Sequence, residues 1–309
     1  MTSPALSRAG AVAADPPDAG VAAHYGDPYR EQRLLVAGEA SVDLSHRDVV
    51  RVTGPDRLSW LHSLTSQHLE HLAPGEPSEA LLLSPHGHVE HALALVDDGT
   101  ATWAHVEPGA AAELVRFLDS MRFWSQVEVE DLTTSHAVVV RPDAFSGAVS
   151  RRVPEGVESF VRREELADAL AGDLAGVWAL EALRVAAGRP RFGLETDHRT
   201  IPHEVGWIPS AVHLDKGCYR GQETVARVQN LGRPPRRLVL LHLDGSDSEL
   251  PAHGDPVLMD GREVGRVTTA ARHFELGPIA LAVVKRSTPA DADLAAGGVA
   301  ATQEVLVPA

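Results

Sequence analysis

From Arg236 to the end of the chain, the sequence is a series of short β-type runs, and this change of pattern limits the possible folds more than any other feature. The runs read RRLVLLHL, DPVLMDGREVGRVTTAARH, GPIALAVVKR and QEVLVPA. The pair Asp260-Gly261 is a strong signal for a two-residue hairpin loop. We therefore expect residues 236–309 to form a small all-β domain, most simply a barrel.

The residues before Arg236 alternate between strand-like and helix-like segments. DVVRVTG predicts a strand, the following Gly54-Pro55-Asp56 predicts a turn and a helix cap, and the leucines after it have near-helical spacing. Residues 78–106 carry the turn signals of a three-stranded antiparallel meander, and PGAAAELVRFLDSMRF predicts another helix. The predicted class is α+β, with this first region covering residues 27–235.

The composition excludes several classes of protein. A formal net charge of -15 over 309 residues repels phosphate backbones, so we expect no direct nucleic-acid partner. No stretch approaches the roughly 20 apolar residues of a membrane helix, so we expect no membrane partner. The single cysteine permits no internal disulfide and no zinc or iron-sulfur site made from this chain's thiolates alone. These features predict a cytoplasmic protein.

Residues 1–26 contain only a short run of alanine and valine before Asp15, too short for the apolar part of a signal peptide. We expect this segment to be a disordered tail.

The histidines do not predict a metal site. His86 and His88 flank a turn glycine, and strand alternation places His88 and His91 on opposite faces. The second group, His62, His68 and His71, is expected around a helix as a solvated surface.

The segment DKGCYRGQETVARVQ, residues 215–229, contains the only cysteine and one of only two lysines. Gly217 and Gly221 allow a sharp turn around Cys218, and QETVARVQ predicts a helix that starts just afterwards. A cysteine at a helix N-terminus, next to Lys216 and Arg220, favours thiolate over thiol. The alternative is that Cys218 is a small buried apolar side chain in a turn.

Other candidate residues lie on either side of this cysteine. Gln222 and Glu223 can accept capping hydrogen bonds in the first turn of the predicted helix. An arginine cluster close to Trp207 is able to hold a flat ring and carboxylates, although it can equally be an arginine-rich surface. Its members are Arg184, Arg189, Arg191 and Arg199. Dinucleotide, NTP and hydrolase loop motifs do not occur.

Four segments together resemble the YgfZ family, folate-binding relatives of the glycine-cleavage T-protein (GcvT). They are KGCYRGQETVAR, LEALRVAAGRPRFG, LTSQHLEHLAPG and LLLSPHGHV, and the similarity covers roughly residues 35 to 290. It implies a GcvT-like folate-binding region of α+β subdomains around a central opening, followed by the small C-terminal β-barrel. It also implies a role in assembling or repairing iron-sulfur clusters of 4Fe-4S enzymes, including tRNA-modifying ones, with client or assembly proteins as partners.

The resemblance also implies which residues act. Cys218 is the functional thiol with Lys216 beside it, and tetrahydrofolate is the cofactor, for which Arg184, Trp207 and Arg227 are the candidate contacts. The residues expected to support the motif are Gly217, Tyr219, Arg220, Gly221, Gln222 and Glu223. Ala186 stands where the T-protein pattern has a glutamate that holds the pterin. The alternatives are a tetrahydrofolate-dependent one-carbon (aminomethyl) transferase or demethylase, and a non-catalytic interaction module.

Overall fold

The computed structural model describes residues 2–208, 210–232, 234–246 and 249–307. The α-helices in these ranges are α1 Pro28–Ala37, α2 Arg57–Leu64, α3 Ala111–Ser120, α4 Leu166–Ala169, α5 Val177–Ala186 and α6 Gln222–Leu231. Short 3-10 helices occur at Pro4–Ser7, Arg163–Glu165 and Pro202–Glu204. None of the helices in the described part of the chain has the length and apolar content needed to cross a membrane.

The strands of the first half are β1 Val12–Ala13, β2 Ala22–His24, β3 Ser41–Asp43, β4 Asp48–Thr53, β5 Pro77–Leu83, β6 Val89–Asp97, β7 Ala101–Val106, β8 Glu128–Asp131, β9 His136–Arg141, β10 Val149–Val153, β11 Gly156–Arg162 and β12 Leu174–Ala175. Those of the second half are β13 Arg236–Leu243, β14 Pro256–Met259, β15 Arg262–His273, β16 Gly277–Lys285, β17 Leu294–Ala296 and β18 Val299–Val305. The mixture of helices and sheets confirms the α+β class.

Contacts divide the chain into two compact units. The first is Met1–Leu82 with His91–Leu180, and the second is Leu83–Glu90 with Glu181–Ala309. The barrel strands start at Arg236, next to the expected boundary at residue 235, but the second compact unit already includes the residues from Glu181 onwards. Residues 181–235 group with the barrel because polar contacts between distant residues join the two. A periodic pattern in the sequence does not indicate such contacts.

Two five-stranded sheets form the framework of the first unit. One has the order β5-β6-β7-β4-β8, as the predicted meander of β5 to β7 requires, and the other has the order β10-β11-β9-β3-β12. The apolar face of α3 is buried through Ala111, Leu114 and Leu118 in the core of the first sheet. Asp48 caps this helix from the start of β4, since its Oδ2 accepts a hydrogen bond from the Ala111 N–H at 2.9 Å.

The N-terminal segment is ordered, so the prediction of a disordered tail is wrong. Ala5 belongs to a core cluster of the first unit, and Val21 and Ala23 have no exposed surface. The Ser3 hydroxyl donates a hydrogen bond to the Asp43 carboxylate, 40 positions away. Small side chains in close contact, rather than large apolar ones, hold this segment in place, and a hydropathy pattern does not reveal them.

The second unit contains the predicted barrel, which starts at Arg236 and is closed in the order β13-β16-β15-β14-β17-β18. Its interior is a continuous cluster of buried valine, leucine and alanine side chains. Asp260 and Gly261 both have positive φ, 50° and 74°, in the loop between β14 and β15. This is the backbone of a type I′ turn, so the hairpin prediction is confirmed.

Candidate functional site

Within the second unit, the predicted site residues from Lys216 to Gly221 lie in a loop that leads into α6, and Gln222 and Glu223 are the first two residues of that helix. Cys218 is exposed, whereas Lys216 and Tyr219 are buried, with 7% and 8% of their surface accessible. The two buried side chains fix the loop on either side of the cysteine. The alternative that Cys218 is a buried apolar side chain is therefore wrong.

Lys216 is held in an environment that disfavours its charge. Burial lowers its pKa from 10.5 to about 8. Its ammonium nitrogen lies 5.0 Å from the centroid of the Tyr219 ring, a cation–π distance. The Gln222 side-chain amide donates to the Lys216 carbonyl oxygen at 3.4 Å, which ties the start of α6 to the loop. A neutral amine is therefore accessible near physiological pH.

The cysteine does not lie in the first turn of the helix. Helix α6 begins at Gln222 with Gly221 as its N-cap, so Cys218 precedes the cap by three residues. The Gly221 carbonyl oxygen accepts hydrogen bonds from the N–H groups of Thr224 and Val225. The predicted helix QETVARVQ does start at Gln222. What is wrong is the inference that a cysteine three residues before the N-cap lies at the helix N-terminus.

A hairpin turn at residues 84–88 contacts the loop closely, and this explains the glycine at position 221. Gly221 has φ +82°, and a Cβ there would lie 2.6 Å from the Ser84 carbonyl oxygen. A Cβ on Gly87 would lie 2.8 Å from the Thr224 Cβ. The two segments that carried the family resemblance, LLLSPHGHV and KGCYRGQETVAR, are therefore in direct contact.

Arg184, predicted to contact the cofactor, is instead committed to a buried polar network of the second unit. Its Nε and Nη2 donate to Glu181, its Nη1 to Glu195 and to the Arg189 carbonyl oxygen, and its Nη2 also to Thr269 Oγ1. All five N–H groups of the guanidinium thus have acceptors within the protein. Burial alone would lower the pKa of Arg184, but the carboxylates of Glu181 and Glu195 raise it.

The centre of this network is Glu195, which the sequence analysis did not identify. Its carboxylate has no exposed surface and accepts hydrogen bonds from Arg184 Nη1, the Arg191 N–H, Thr268 Oγ1 and Thr269 Oγ1, at 2.6 to 2.8 Å. Since the two threonines belong to β15, the carboxylate joins the arginine-rich segment to the barrel. No sequence motif marks such a residue.

The other predicted residues are spread over the second unit. Trp207 is buried, with 4% of its surface exposed, and its backbone N–H donates to the Pro202 carbonyl oxygen at 3.2 Å. Arg227 and Glu223 are exposed on α6. Arg220 is half-buried and pairs with Glu90, at 2.8 Å between Nη1 and Oε2. Of the three proposed cofactor contacts, Arg227 is the one that presents its side chain to solvent.

A separate cavity of about 810 Å³ lies in the first unit and contains none of the predicted site residues. Its wall includes Arg51, Trp103, His136, Phe160 and Arg162. The Arg51 guanidinium lies 5.4 Å above the centroid of the Trp103 ring, and burial next to Arg51 and Arg162 lowers the pKa of His136. The volume suits a small-molecule ligand. These residues come from strands β4, β7, β9 and β11 and share no sequence motif.

Comparisons with known proteins agree with this architecture. Residues 236–307 match the family model of the glycine cleavage T-protein C-terminal barrel domain. The crystal structure of glycine cleavage system aminomethyltransferase T from Bartonella henselae superposes with a TM-score of 0.81, covers 97% of this chain and 95% of its own, and is 18% identical. The chain therefore has a T-protein-like fold that ends in a closed six-stranded barrel.

Among curated relatives, an aminomethyltransferase of Lysinibacillus sphaericus is 27% identical over 285 residues, which are 74% of each chain. A chloroplastic protein of Arabidopsis thaliana, whose name assigns it only provisionally to the transferases, is 25% identical over 290 residues. That alignment includes 78% of this chain but 65% of the Arabidopsis protein, so the relative is considerably longer.

Proposed function

We propose that this protein is a cytoplasmic, tetrahydrofolate-binding factor that supports the assembly or repair of iron-sulfur clusters, with Cys218 as its reactive group. The observation that carries the proposal is the exposed thiol of Cys218 on a loop fixed by buried neighbours on both sides. The T-protein-like fold and the relatives named aminomethyltransferase support a folate-type ligand. The presence of a single cysteine fits a reducing compartment.

The presence of a single cysteine also limits the iron-sulfur chemistry that this chain can perform alone. Iron-sulfur clusters are usually held by several thiolates, whereas this chain offers one. Cys218 therefore acts together with ligands from a client or assembly protein, including clients that modify tRNA. Lys216 supports this role by fixing the backbone two residues before the thiol, where its carbonyl oxygen accepts a hydrogen bond from the Gln222 side-chain amide.

The test is complementation of a deletion strain with full-length variants. Cys218→Ser is expected to fold, to bind tetrahydrofolate in calorimetry with the affinity of the wild type, and to leave 4Fe-4S enzyme activities at the level of the deletion. Asp215→Asn is the matched control, because it alters an exposed side chain of the same segment, residues 215–229, and keeps the thiol. Full rescue by Cys218→Ser would overturn the proposal.

The second candidate is a tetrahydrofolate-dependent one-carbon transferase, which the names of the relatives favour. In that case the purified protein moves a labelled carbon from an aminomethyl or methylamine donor to tetrahydrofolate. Transfer that persists in Cys218→Ser would favour this function over the first. A protein that binds no tetrahydrofolate at all would exclude both and leave a non-catalytic interaction module.

A further inference from the structure

Two histidines and a glutamate of the first unit converge at the end of α2. His62 lies in the last turn of the helix, and His68 and Glu70 follow in the next segment. One ligand atom from each residue lies within 4.8 Å of the other two, and the two imidazole rings meet nearly at right angles with 4.7 Å between their centroids. The sequence analysis placed His68 and His71 around the same helix as His62. That expectation is wrong because α2 ends at Leu64, so His68 and His71 lie outside the helix.

The backbone on both sides of His68 is firmly held. Ser66 has no exposed surface, its N–H donates to the Leu81 carbonyl oxygen and its hydroxyl accepts from the Leu81 N–H, both at 2.9 Å. Leu69, directly between His68 and Glu70, is fully buried in the core cluster that also contains Leu61 from α2. The three ligands therefore extend from a preorganised framework, which metal affinity requires.

We propose that His62, His68 and Glu70 form a binding site for one divalent transition-metal ion of the zinc class. Two imidazole nitrogens and one carboxylate oxygen are a donor set that zinc prefers and that magnesium and calcium do not. Zinc bonds of about 2.0–2.2 Å place tetrahedral ligands roughly 3.3–3.5 Å apart. The three ligand atoms now lie within 4.8 Å of one another, and rotation of the side chains, of which Glu70 is exposed, brings them to that distance. A fourth position stays open for water.

Coordination by His62 affects a hydrogen bond that its ring accepts. The Leu69 N–H donates to His62 Nδ1 at 3.3 Å, so the neutral ring carries its proton on Nε2. Coordination through Nδ1 replaces this bond directly, and coordination through Nε2 moves the ring proton to Nδ1. The distance is beyond the usual range for N–H···O and N–H···N bonds, so the loss is small. The net charge of -15 favours accumulation of cations around the protein.

The experiment is calorimetric titration of the full chain with zinc chloride, in the Cys218→Ser variant so that the thiol cannot bind the metal. We expect saturable binding of one zinc per chain and no saturable binding of magnesium. His62→Asn and His68→Asn each weaken zinc binding at least about tenfold. His86→Asn, which alters an exposed histidine outside the cluster, leaves it unchanged. Circular dichroism confirms that each variant is folded.

A second measurement is independent of the fitted affinity. Because a ligand that binds only the folded state raises Tm, zinc is expected to raise the Tm of Cys218→Ser and EDTA to reverse the shift. The shift should be absent in His68→Asn. A zinc affinity equal in Cys218→Ser and its His68→Asn derivative, a ratio other than one per chain, or equal binding of magnesium would each overturn the proposal.

Discussion

Arg220 and Glu90 form a salt bridge with 2.8 Å between Nη1 and Oε2, although 130 positions separate them in the sequence. The salt bridge reinforces the contact between the loop that carries Cys218, residues 216–221, and the hairpin turn at residues 84–88. In this contact Gly221 approaches the Ser84 carbonyl oxygen. Both charged side chains are partly exposed, so the pair contributes at most about 1 kcal/mol. The close backbone contact is the stronger determinant of where Cys218 is held.

Replacing Gly221 with alanine tests that contact. The added Cβ meets a backbone oxygen at 2.6 Å and the residue has φ +82°, so we expect Gly221→Ala to lower the free energy of unfolding by about 2–4 kcal/mol. Gly232→Ala is the control, because Gly232 also has positive φ but no atom lies within 4 Å of its Cβ position. It should cost only about 1–2 kcal/mol. Urea unfolding measures both, and equal losses would contradict the clash.

The lowered pKa of Lys216 predicts a pH-dependent stability. Between its folded pKa of about 8 and its ordinary value of 10.5, the unfolded chain binds a proton that the folded protein lacks. Stability therefore rises with pH across this window, while the full cost of the buried charge is present below pH 8. In Lys216→Met this rise should be absent. Parallel curves of unfolding free energy against pH for the variant and the wild type would refute the assignment.

Glu158 predicts a rise of stability with pH as well, but in the acid range. Burial alone would raise its pKa, but His105, at 3.1 Å, and Arg151, at 2.8 Å, hold it at about 2. The stabilisation is fully present above the ordinary value of 4.5 and is lost as the pH falls towards 2. Glu158→Gln should therefore be less stable than the wild type at pH 6, with a difference that shrinks in acid. Acid titrations of unfolding at several pH values provide the check.

The network around Glu195 predicts that replacing this fully buried residue strongly lowers the free energy of unfolding. Removing its carboxylate leaves Arg184 buried with one fewer partner and leaves the Thr269 hydroxyl of β15 without its acceptor. The Thr268 hydroxyl keeps the Leu281 carbonyl oxygen as an acceptor at 3.0 Å. We expect Glu195→Ala to lower the free energy of unfolding, measured with denaturant, by about 3–5 kcal/mol. Glu164→Ala is the comparison, because its pair with Arg162 is exposed and should contribute less than about 1 kcal/mol. A small loss for both would mean that the network is not stabilising.

Local patterns in the sequence were sufficient to predict the barrel, its Asp260-Gly261 hairpin and the strand-turn-helix unit at β4 and α2. Each depends on neighbouring residues, namely the alternation of apolar side chains or the turn preference of two adjacent positions. The family resemblance then led to the T-protein-like fold, which the comparisons bear out.

The remaining features depend on contacts between distant residues. Ser3 bonds to Asp43, and Glu195 bonds to Thr268 and Thr269 more than 70 positions away. The meeting of His62 and His68 depends on where α2 ends, and helix ends are the least predictable part of a helix. Such partners are chosen by the tertiary structure, so no spacing rule identifies them.

The attachment of residues 181–235 to the barrel determines where the chain can be cut for expression. The bounds of the barrel alone would suggest a fragment that begins at Arg236. Such a fragment lacks Asp197 and Glu204, which pair with the Arg236 side chain at 2.6 and 2.8 Å. It also lacks Glu195, to which the threonines of β15 donate hydrogen bonds. Because the fragment begins with an arginine that has lost both paired carboxylates, it is a poor choice for isolated study. A C-terminal piece that begins just ahead of Glu181 keeps these partners, but it still leaves out Leu83–Glu90, which belong to the same unit.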